Sequence, residues 1–313
     1  MVYTFKDYYF SQSLKLTNIS SFQVLIDILL NKMDGKMNNL ISVVVTCYNH
    51  EKYIEQCLRS VFNQTYTNIE LIVLDDGSTD SSTQIIQEVL KDSPFETRFE
   101  THENLGVVKN RNLGLELIRG DYLLFVDSDN YLDADYVEQL YSKLTETNAD
   151  IAYCDLFNPE KEEFYLKSRE FDLTAFLNAS FIDNCSLIRR SIIGNARYDE
   201  MLNRKKLEDY DFLLNLIINN GAKAVYQPST KLNYRVFETG SISGRDSVRY
   251  HYEIYLDILE KYLDKLPHEI YKAVCENLMV LEERLDSLLK HHDDVTDYVN
   301  RLKKERDQLE RSL

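Results

Sequence analysis

Three short apolar runs, each ending in polar residues and each divided from the next by a helical repeat, leave this chain few folds. ISVVVT (41–46), IELIVLDD (69–76) and GDYLLFVDSD (120–129) are dense in β-branched and aromatic residues and show little in–out alternation. Such strands are apolar on both faces, so helices must cover both sides of the sheet. Between the first two, EKYIEQCLRSVFNQ sets Tyr53, Ile54, Cys57, Leu58, Val61 and Phe62 at helical spacing. STDSSTQIIQEVL opens with Ser, Thr and Asp capping candidates and predicts a second helix, and VKNRNLGLELI a third. Strand–helix alternation with short loops means a doubly wound, mainly parallel α/β sheet with helices on both faces. Ligands of such sheets lie beyond the carboxyl ends of the strands. Those ends read Thr46-Cys47-Tyr48-Asn49, Asp75-Asp76-Gly77-Ser78 and Asp127-Ser128-Asp129, so the site is expected there.

The alternation gives way near Ala152 to a less regular stretch, with helices expected near 172–181 and 207–219 and a strand at AVYQP (224–228). We take 38–247 as the main domain and 1–37, set apart by the polar break NKMDGKMNNL, as an N-terminal extension with an amphipathic helix over Ser21–Leu30. Residues 248–313 read as helix except around Pro267. Within them Leu281, Leu288, Val295, Leu302 and Leu309 recur every seven residues. Leu278, Leu285, His292, Val299, Arg306 and Leu313 form the offset series. This predicts a coiled coil from about 278 to 313 and a homo-oligomer built through it.

Composition narrows the partners. A net charge of -16 disfavours nucleic acid, whose binding needs clustered Lys and Arg, and disfavours docking on anionic lipid. Five scattered cysteines without a CxxC pair read as reduced thiols. The apolar run FQVLIDILL is too short to span a membrane, and no transmembrane segment is expected. The reading is a cytoplasmic protein, with attachment to the inner face of the membrane as the only membrane contact left open.

The carboxylates carry the chemistry. Asp127 and Asp129 stand two apart where an apolar strand ends, and hard ions such as Mg²⁺ or Mn²⁺ take one or two carboxylates plus phosphate oxygens and water. A solvated turn is the other reading of DSDN. In DDGSTD (75–80), Asp76 closes a strand and could accept the N–H of a base, while a turn with a helix cap explains part of the same motif. In LEDYDFLLNL (207–216), Glu208 and Asp209 open a helix. The helix dipole favours acids there, and a general base would also be a carboxylate at such a rigid junction.

Taken with ENLGVVKNRNLGLELIRGDYLLFVDSDNYLDADYVEQL, these motifs in this order resemble the family 2 glycosyltransferases of GT-A fold, over roughly residues 40–245. The resemblance implies an inverting, metal-dependent transfer of sugar from a nucleotide-diphosphate donor, with uridine preferred, to a hydroxyl of a glycan, glycolipid or glycoprotein. It implies that Thr46, Tyr48 and Asn49 line the nucleotide, that Asp76 bonds the base and that Asp80 supports its loop. Asn104, Gly106 and Arg111 would lie near the diphosphate and ribose, with Asp127 and Ser128 beside them. Asp129, with Asp127, would hold Mn²⁺ or Mg²⁺, and Asp209 would be the catalytic base with Glu208 next to it. NYRVFETGSIS (233–243) resembles the loop that closes over the donor, offering Arg235, Ser241 and Ser243. Phe237 stands where some relatives carry a histidine, and Asn184 falls in the acceptor-side segment. Two alternatives stay open: a nucleotidyltransferase on a similar sheet, and a catalytically weak assembly subunit.

Overall fold

The three apolar runs form the centre of one sheet. The computed structural model describes residues 39–237 and 248–280, with side chains from 251 onward in the second segment. Contacts divide the chain into Met1–Asn39 and Leu40–Leu313, and the second unit holds everything that follows.

Strands β1 (Ile41–Cys47), β2 (Ile69–Asp75), β3 (Glu96–Thr101) and β4 (Tyr122–Asp127) pair in parallel in the order β3-β2-β1-β4. Their connections are the helices α1 (Ile54–Phe62), α2 (Ser82–Val89) and α3 (Val107–Leu117). The order reverses between β1 and β4, which opens a crevice at their carboxyl ends. Thr46 pairs with Asp127 and Cys47 with Asp75 in register, so the three polar strand ends come out level. Beyond β4 the sheet turns mixed. β5 (Tyr131–Leu132), β6 (Ile151–Asn158), β7 (Glu163–Leu166), β8 (Leu187–Arg189) and β9 (Ala224–Asn233) complete nine strands among the described residues. Their order is β4-β8-β6-β9-β5, with β7 on β6. α4 (Tyr136–Thr147) lies between β5 and β6, and α5 (Leu173–Asn178) and α6 (Arg190–Ile193) flank β8.

Side chains two apart on a strand share a face, and here they split into two cores. Val43, Val45, Leu71, Val73, Leu124 and Val126 join Ile54, Leu58, Ile86 and Leu140 of α1, α2 and α4. Val44, Ile72, Leu74, Leu123 and Phe125 join Val108 and Leu115 of α3 on the other face. That second core also takes α7 (Glu208–Leu214), which runs into a π-helical turn at Asn215–Asn219, and α8 (Val248–Glu260). The helix over 268–280 sits on the same core through buried Val274 and half-buried Leu278. Leu278 opens the expected offset series and is already engaged by its own chain. The rest of the heptad pattern, Leu281 to Leu313, lies outside the described residues, as does the expected helix at 21–30.

One charge breaks the apolar run of β2, and the fold explains it. Glu70 is buried, and its carboxylate accepts bonds from Ser42 Oγ at 2.5 Å, the Arg119 backbone N–H at 2.6 Å and Arg119 Nε at 2.7 Å. Gly120 N–H adds a bond at 3.1 Å, and a side chain on Gly120 would collide with Leu40 and Ser42. Burial alone would raise the acid's pKa, but the bonds from Ser42 and Arg119 outweigh it and hold Glu70 below the ordinary range. The carboxylate thus ties the loop before β4 to the amino-terminal ends of β1 and β2. Replacing Glu70 with Ala leaves buried donors unpaired, so a loss of roughly 3 kcal/mol is expected in denaturant unfolding, against well under 1 kcal/mol for a surface change.

Candidate active site

The level strand ends and the start of α7 gather five acids into one interacting cluster, the acid basin, with a buried arginine bonded to two of them. Arg111, on the inner face of α3, is 4 % exposed. Its Nη2 donates to Asp127 Oδ1 at 2.9 Å and its Nη1 to Glu208 Oε1 at 2.8 Å. The guanidinium also lies 5.7 Å from the ring centre of Tyr198, which stacks on Phe212 of α7 at 4.1 Å. Burial opposes the charge, but Asp127 and Glu208 outweigh it and keep Arg111 a cation. Arg111, expected near the donor diphosphate, gives both ends of its fork to acids of the basin. It organises the carboxylates and presents no free cation to a ligand.

Asp127 ends β4 and also accepts from Thr46 Oγ1 at 3.3 Å. Both of its bonds fall on Oδ1, and Oδ2 has no partner among the described residues. Ser128 is buried, its Oγ 2.7 Å from His50 Nδ1. No ion pair reaches the Asp129 carboxylate among the described residues. Arg235 lies close, but its Nη1 donates to the Asp129 main-chain oxygen at 2.5 Å and its Nη2 to Gln56 Oε1 at 2.5 Å. The same guanidinium stacks over Tyr53 and Tyr131, at 4.8 and 5.1 Å from their centres, and Phe237 closes on Tyr53 at 5.4 Å. Burial first, and then the charge of Asp127, push the Asp129 acid up to about 7.

Glu208 and Asp209 open α7, and Asp209 Oδ1 accepts the Tyr210 N–H at 2.8 Å. Burial pushes the Glu208 acid up to about 7, the attraction of Arg111 being countered in part by Asp209. Asp209 is raised by burial as well, with Arg111 opposing and Asp127 adding repulsion. A fifth acid, Asp183, is marked by no motif in the sequence. Asp183 shares the electrostatic field of Asp127 and Asp209, and burial and the Asp127 charge raise it to about 7. One of its oxygens accepts the Cys185 N–H at 2.8 Å. Its neighbour Asn184, expected on the acceptor side, is buried and accepts the Tyr198 hydroxyl at 2.6 Å. The only signal in FIDNCS was a lone acid in an apolar segment.

On the β1–β2 side the expected nucleotide residues are mostly spent on one another. Asn49 adopts a left-handed φ of 55°, and its Oδ1 accepts the Thr79 N–H at 2.7 Å. Asp80 accepts the Glu51 and Ser82 N–H groups, which stitches the two strand-end loops together. Asp76 accepts Leu105 N–H at 2.7 Å and Gly106 N–H at 2.9 Å, one on each oxygen. It thereby shapes the loop before α3, and the lone pairs left on both oxygens keep open the expected bond to a base. Asn104 donates to the Asp76 carbonyl and accepts from Arg204, and a Cβ on Gly106 (φ 91°) would strike Asn203. Tyr48 alone is an open platform, 45 % exposed. Ser241 and Ser243 lie outside the described residues.

The basin suits a cation better than it suits the protein's own charges. Among the described residues no three acidic, His or Cys side chains form a ready-made metal cage. Asp127 and Asp129 offer hard oxygens to an ion that completes its shell with phosphate and water, and raised acid pKa values mark carboxylates short of positive charge. The folded chain holds protons on Asp129, Asp183 and Glu208 near neutrality, protons that the unfolded chain has released. With a chelator present, the melting temperature should therefore rise as pH falls from about 8 to about 7, before the unfolded chain's His50 and His251 charge around pH 6.5 and oppose the trend. Millimolar Mg²⁺ should flatten that slope; differential scanning fluorimetry across pH measures both.

Comparison with known proteins gives the basin a context. A family model described as Glycosyl transferase family 2 matches residues 42–210. The chain is 36% identical over 184 residues to an uncharacterized glycosyltransferase of Haemophilus influenzae, covering 57% of this chain and 72% of that one. It is 37% identical over 152 residues to glycosyltransferase GlyA of Streptococcus pneumoniae, covering 47% of this chain but only 22% of GlyA. The crystal structure of S. aureus TarS 1-349 in complex with UDP-GlcNAc superposes with a TM-score of 0.61 at 22% identity, over 76% of this chain and 71% of that one. At that identity the likeness is one of fold.

Proposed function

We propose, on the premise that this chain belongs to glycosyl transferase family 2 and is a glycosyltransferase of GT-A-like fold, that it transfers a sugar from a nucleotide-diphosphate donor to an acceptor hydroxyl with inversion. The observation that carries the reading is the joining of Asp127 and Glu208 by one buried arginine, which sets the strand-end acids and the Asp209 junction on a single basin. Asp209 is the base. It takes the acceptor's hydroxyl proton as that oxygen attacks the anomeric carbon, and the bond from that carbon to the diphosphate oxygen breaks. The proton stays on the Asp209 carboxylate, and the electron pair leaves with the diphosphate. Burial raises the Asp209 acid, so its conjugate base is stronger than a free aspartate and better matched to a hydroxyl near neutral pH.

Asp127 and Asp129 would hold a divalent ion, Mn²⁺ or Mg²⁺, which supplies positive charge to the departing diphosphate. Tyr48 offers its exposed ring to the base, and the Asp76 loop shapes the wall beside it. Uridine is the preferred base, in keeping with the UDP-GlcNAc bound to TarS. The family replaces the nucleotidyltransferase alternative; the weak assembly subunit is separated from an active enzyme by turnover. Among the described residues no helix is long and apolar enough to cross a membrane, and the acceptor proposed is a hydroxyl of a glycan or glycoconjugate.

Two substitutions test the assignment on the full chain. Asp209→Asn, nearly isosteric but unable to take the proton, should lower turnover by about 10²–10⁴-fold while calorimetry gives UDP an affinity close to wild type. Collapse of UDP binding with turnover of bound donor intact would make Asp209 a binding residue. Asp129→Ala should abolish the Mg²⁺-dependent part of UDP binding with the circular dichroism spectrum unchanged. Donor hydrolysis that persists in excess EDTA would remove the metal from the reading.

A further inference from the structure

On the far side of β4 from the nucleotide wall, the surface carries an aromatic pair that donor chemistry leaves unused. β7 exposes two large rings in succession, Phe164 and Tyr165. Tyr165 is 54 % exposed, yet its ring is not loose: it stacks on Tyr234 with centroids 5.1 Å and planes 19° apart. One face is thus backed and the rest of the ring meets solvent. Tyr234 is itself fixed. Its N–H donates to the Phe157 carbonyl at 2.8 Å, and its neighbour Asn233 pairs with Tyr131 across β5 and β9. The residue after it is Arg235, which holds the Asp129 carbonyl. Burial, and then the charge of Asp183 with smaller contributions from Tyr165, Asp127 and Asp129, keep the Tyr234 phenol from ionising.

A single exposed tyrosine is ordinary at a protein surface. A flat ring clamped from behind by a tyrosine whose next residue, Arg235, holds the Asp129 carbonyl has the form of a sugar platform. The negative face of an aromatic ring attracts the polarised C–H groups on one side of a pyranose, while ring hydroxyls at the edge seek acceptors. Asp183 offers such an acceptor, since the N–H and thiol of Cys185 take only part of its carboxylate's lone pairs. The sheet order decides which sugar is meant. β2 and β1 lie on one side of β4, and β6, β9 and β7 on the other, so the pair stands opposite the nucleotide end.

We infer that Tyr165, backed by Tyr234 and joined by Asp183, forms the subsite for the acceptor's sugar, a pyranose that presents one flat C–H face. The occupant's identity as acceptor rests on the glycosyl-transfer reading above; the platform itself does not.

Saturation-transfer NMR on the full chain with UDP and Mg²⁺ tests it. The probes are methyl β-D-glucopyranoside, methyl β-D-galactopyranoside and methyl N-acetyl-β-D-glucosaminide, with acyclic glycerol as control. At least one pyranoside should receive saturation, strongest on the C–H protons of one ring face, and Tyr165→Ala should cut it about fivefold. Tyr165→Phe, which keeps the ring, and Phe164→Ala, which removes the adjacent ring on the other face of the strand, should both retain it. Full signal in Tyr165→Ala, equal saturation of glycerol, or no saturation of any pyranoside would overturn the subsite. Calorimetry of UDP on the same samples separates the two readings. A ring-dependent pyranoside signal without UDP binding keeps the platform and removes the donor assignment; UDP binding without that signal does the reverse.

Discussion

A buried guanidinium shared by two carboxylates from distant parts of the chain is the interaction on which this site depends. Arg111 joins the end of β4 to the start of α7, bonding Asp127 16 residues ahead of it and Glu208 97 residues ahead. Removing one partner of a buried pair leaves an uncompensated charge and costs about 3–5 kcal/mol. The lock is therefore stiff as well as specific. Two monodentate bonds at 2.8 and 2.9 Å, with Tyr198 over the cation, fix the distance between the strand-end acids and the helix that carries Asp209. Arg111 Nε remains buried without a partner, a cost borne by the rest of the cluster.

That single cation does not neutralise the basin. Asp127, Asp129, Asp183, Glu208 and Asp209 stand around it, and three of these acids are pushed up to about 7. The neighbouring Arg235 directs its hydrogen bonds at a main-chain oxygen and an amide. A surplus of negative charge held rigidly at strand ends is unfavourable for the empty fold and favourable for a cationic ligand. The same surplus strengthens Asp209 as a proton acceptor. Stability and function pull in opposite directions at this place, and the well-filled cores on both faces of the sheet are what hold the acids together.

Around the basin the fold divides labour by sheet position. The β1–β2 loops are cross-stitched through Asn49, Asp76 and Asp80 into a stiff wall, with Tyr48 left open upon it. Beyond β4 the mixed half of the sheet brings β7 and β9 alongside each other, so that Tyr165 and Tyr234, 69 residues apart, stack. At the opposite end of the strands Glu70 fastens the loop before β4 to β1 and β2. Each of these contacts is long-range in sequence, and each fixes a loop that no local propensity would hold.

The amino-acid sequence by itself determined the three central parallel strands, because two-sided burial writes continuous apolar runs and leaves the polar strand ends to mark the site; the half-exposed edge strand β3 writes no such run and came only from the fold. It also determined the acids Asp127, Asp129, Glu208 and Asp209, whose positions at element ends are visible in one dimension. What it did not determine is which polar groups face a ligand and which face one another. Arg111 and Asp76 carry the residue types of ligand contacts, and only the fold shows that one also bonds two acids and the other the Leu105 and Gly106 amides. Asp183 and the Tyr165–Tyr234 stack lie in segments without a repeat, so nothing along the chain singled them out. Hydrophobic periodicity is a local property, fixed by which face of an element is dry. The partner of a buried charge is settled only when distant segments meet, because its energy depends on the distance to a countercharge and on the water that folding excludes.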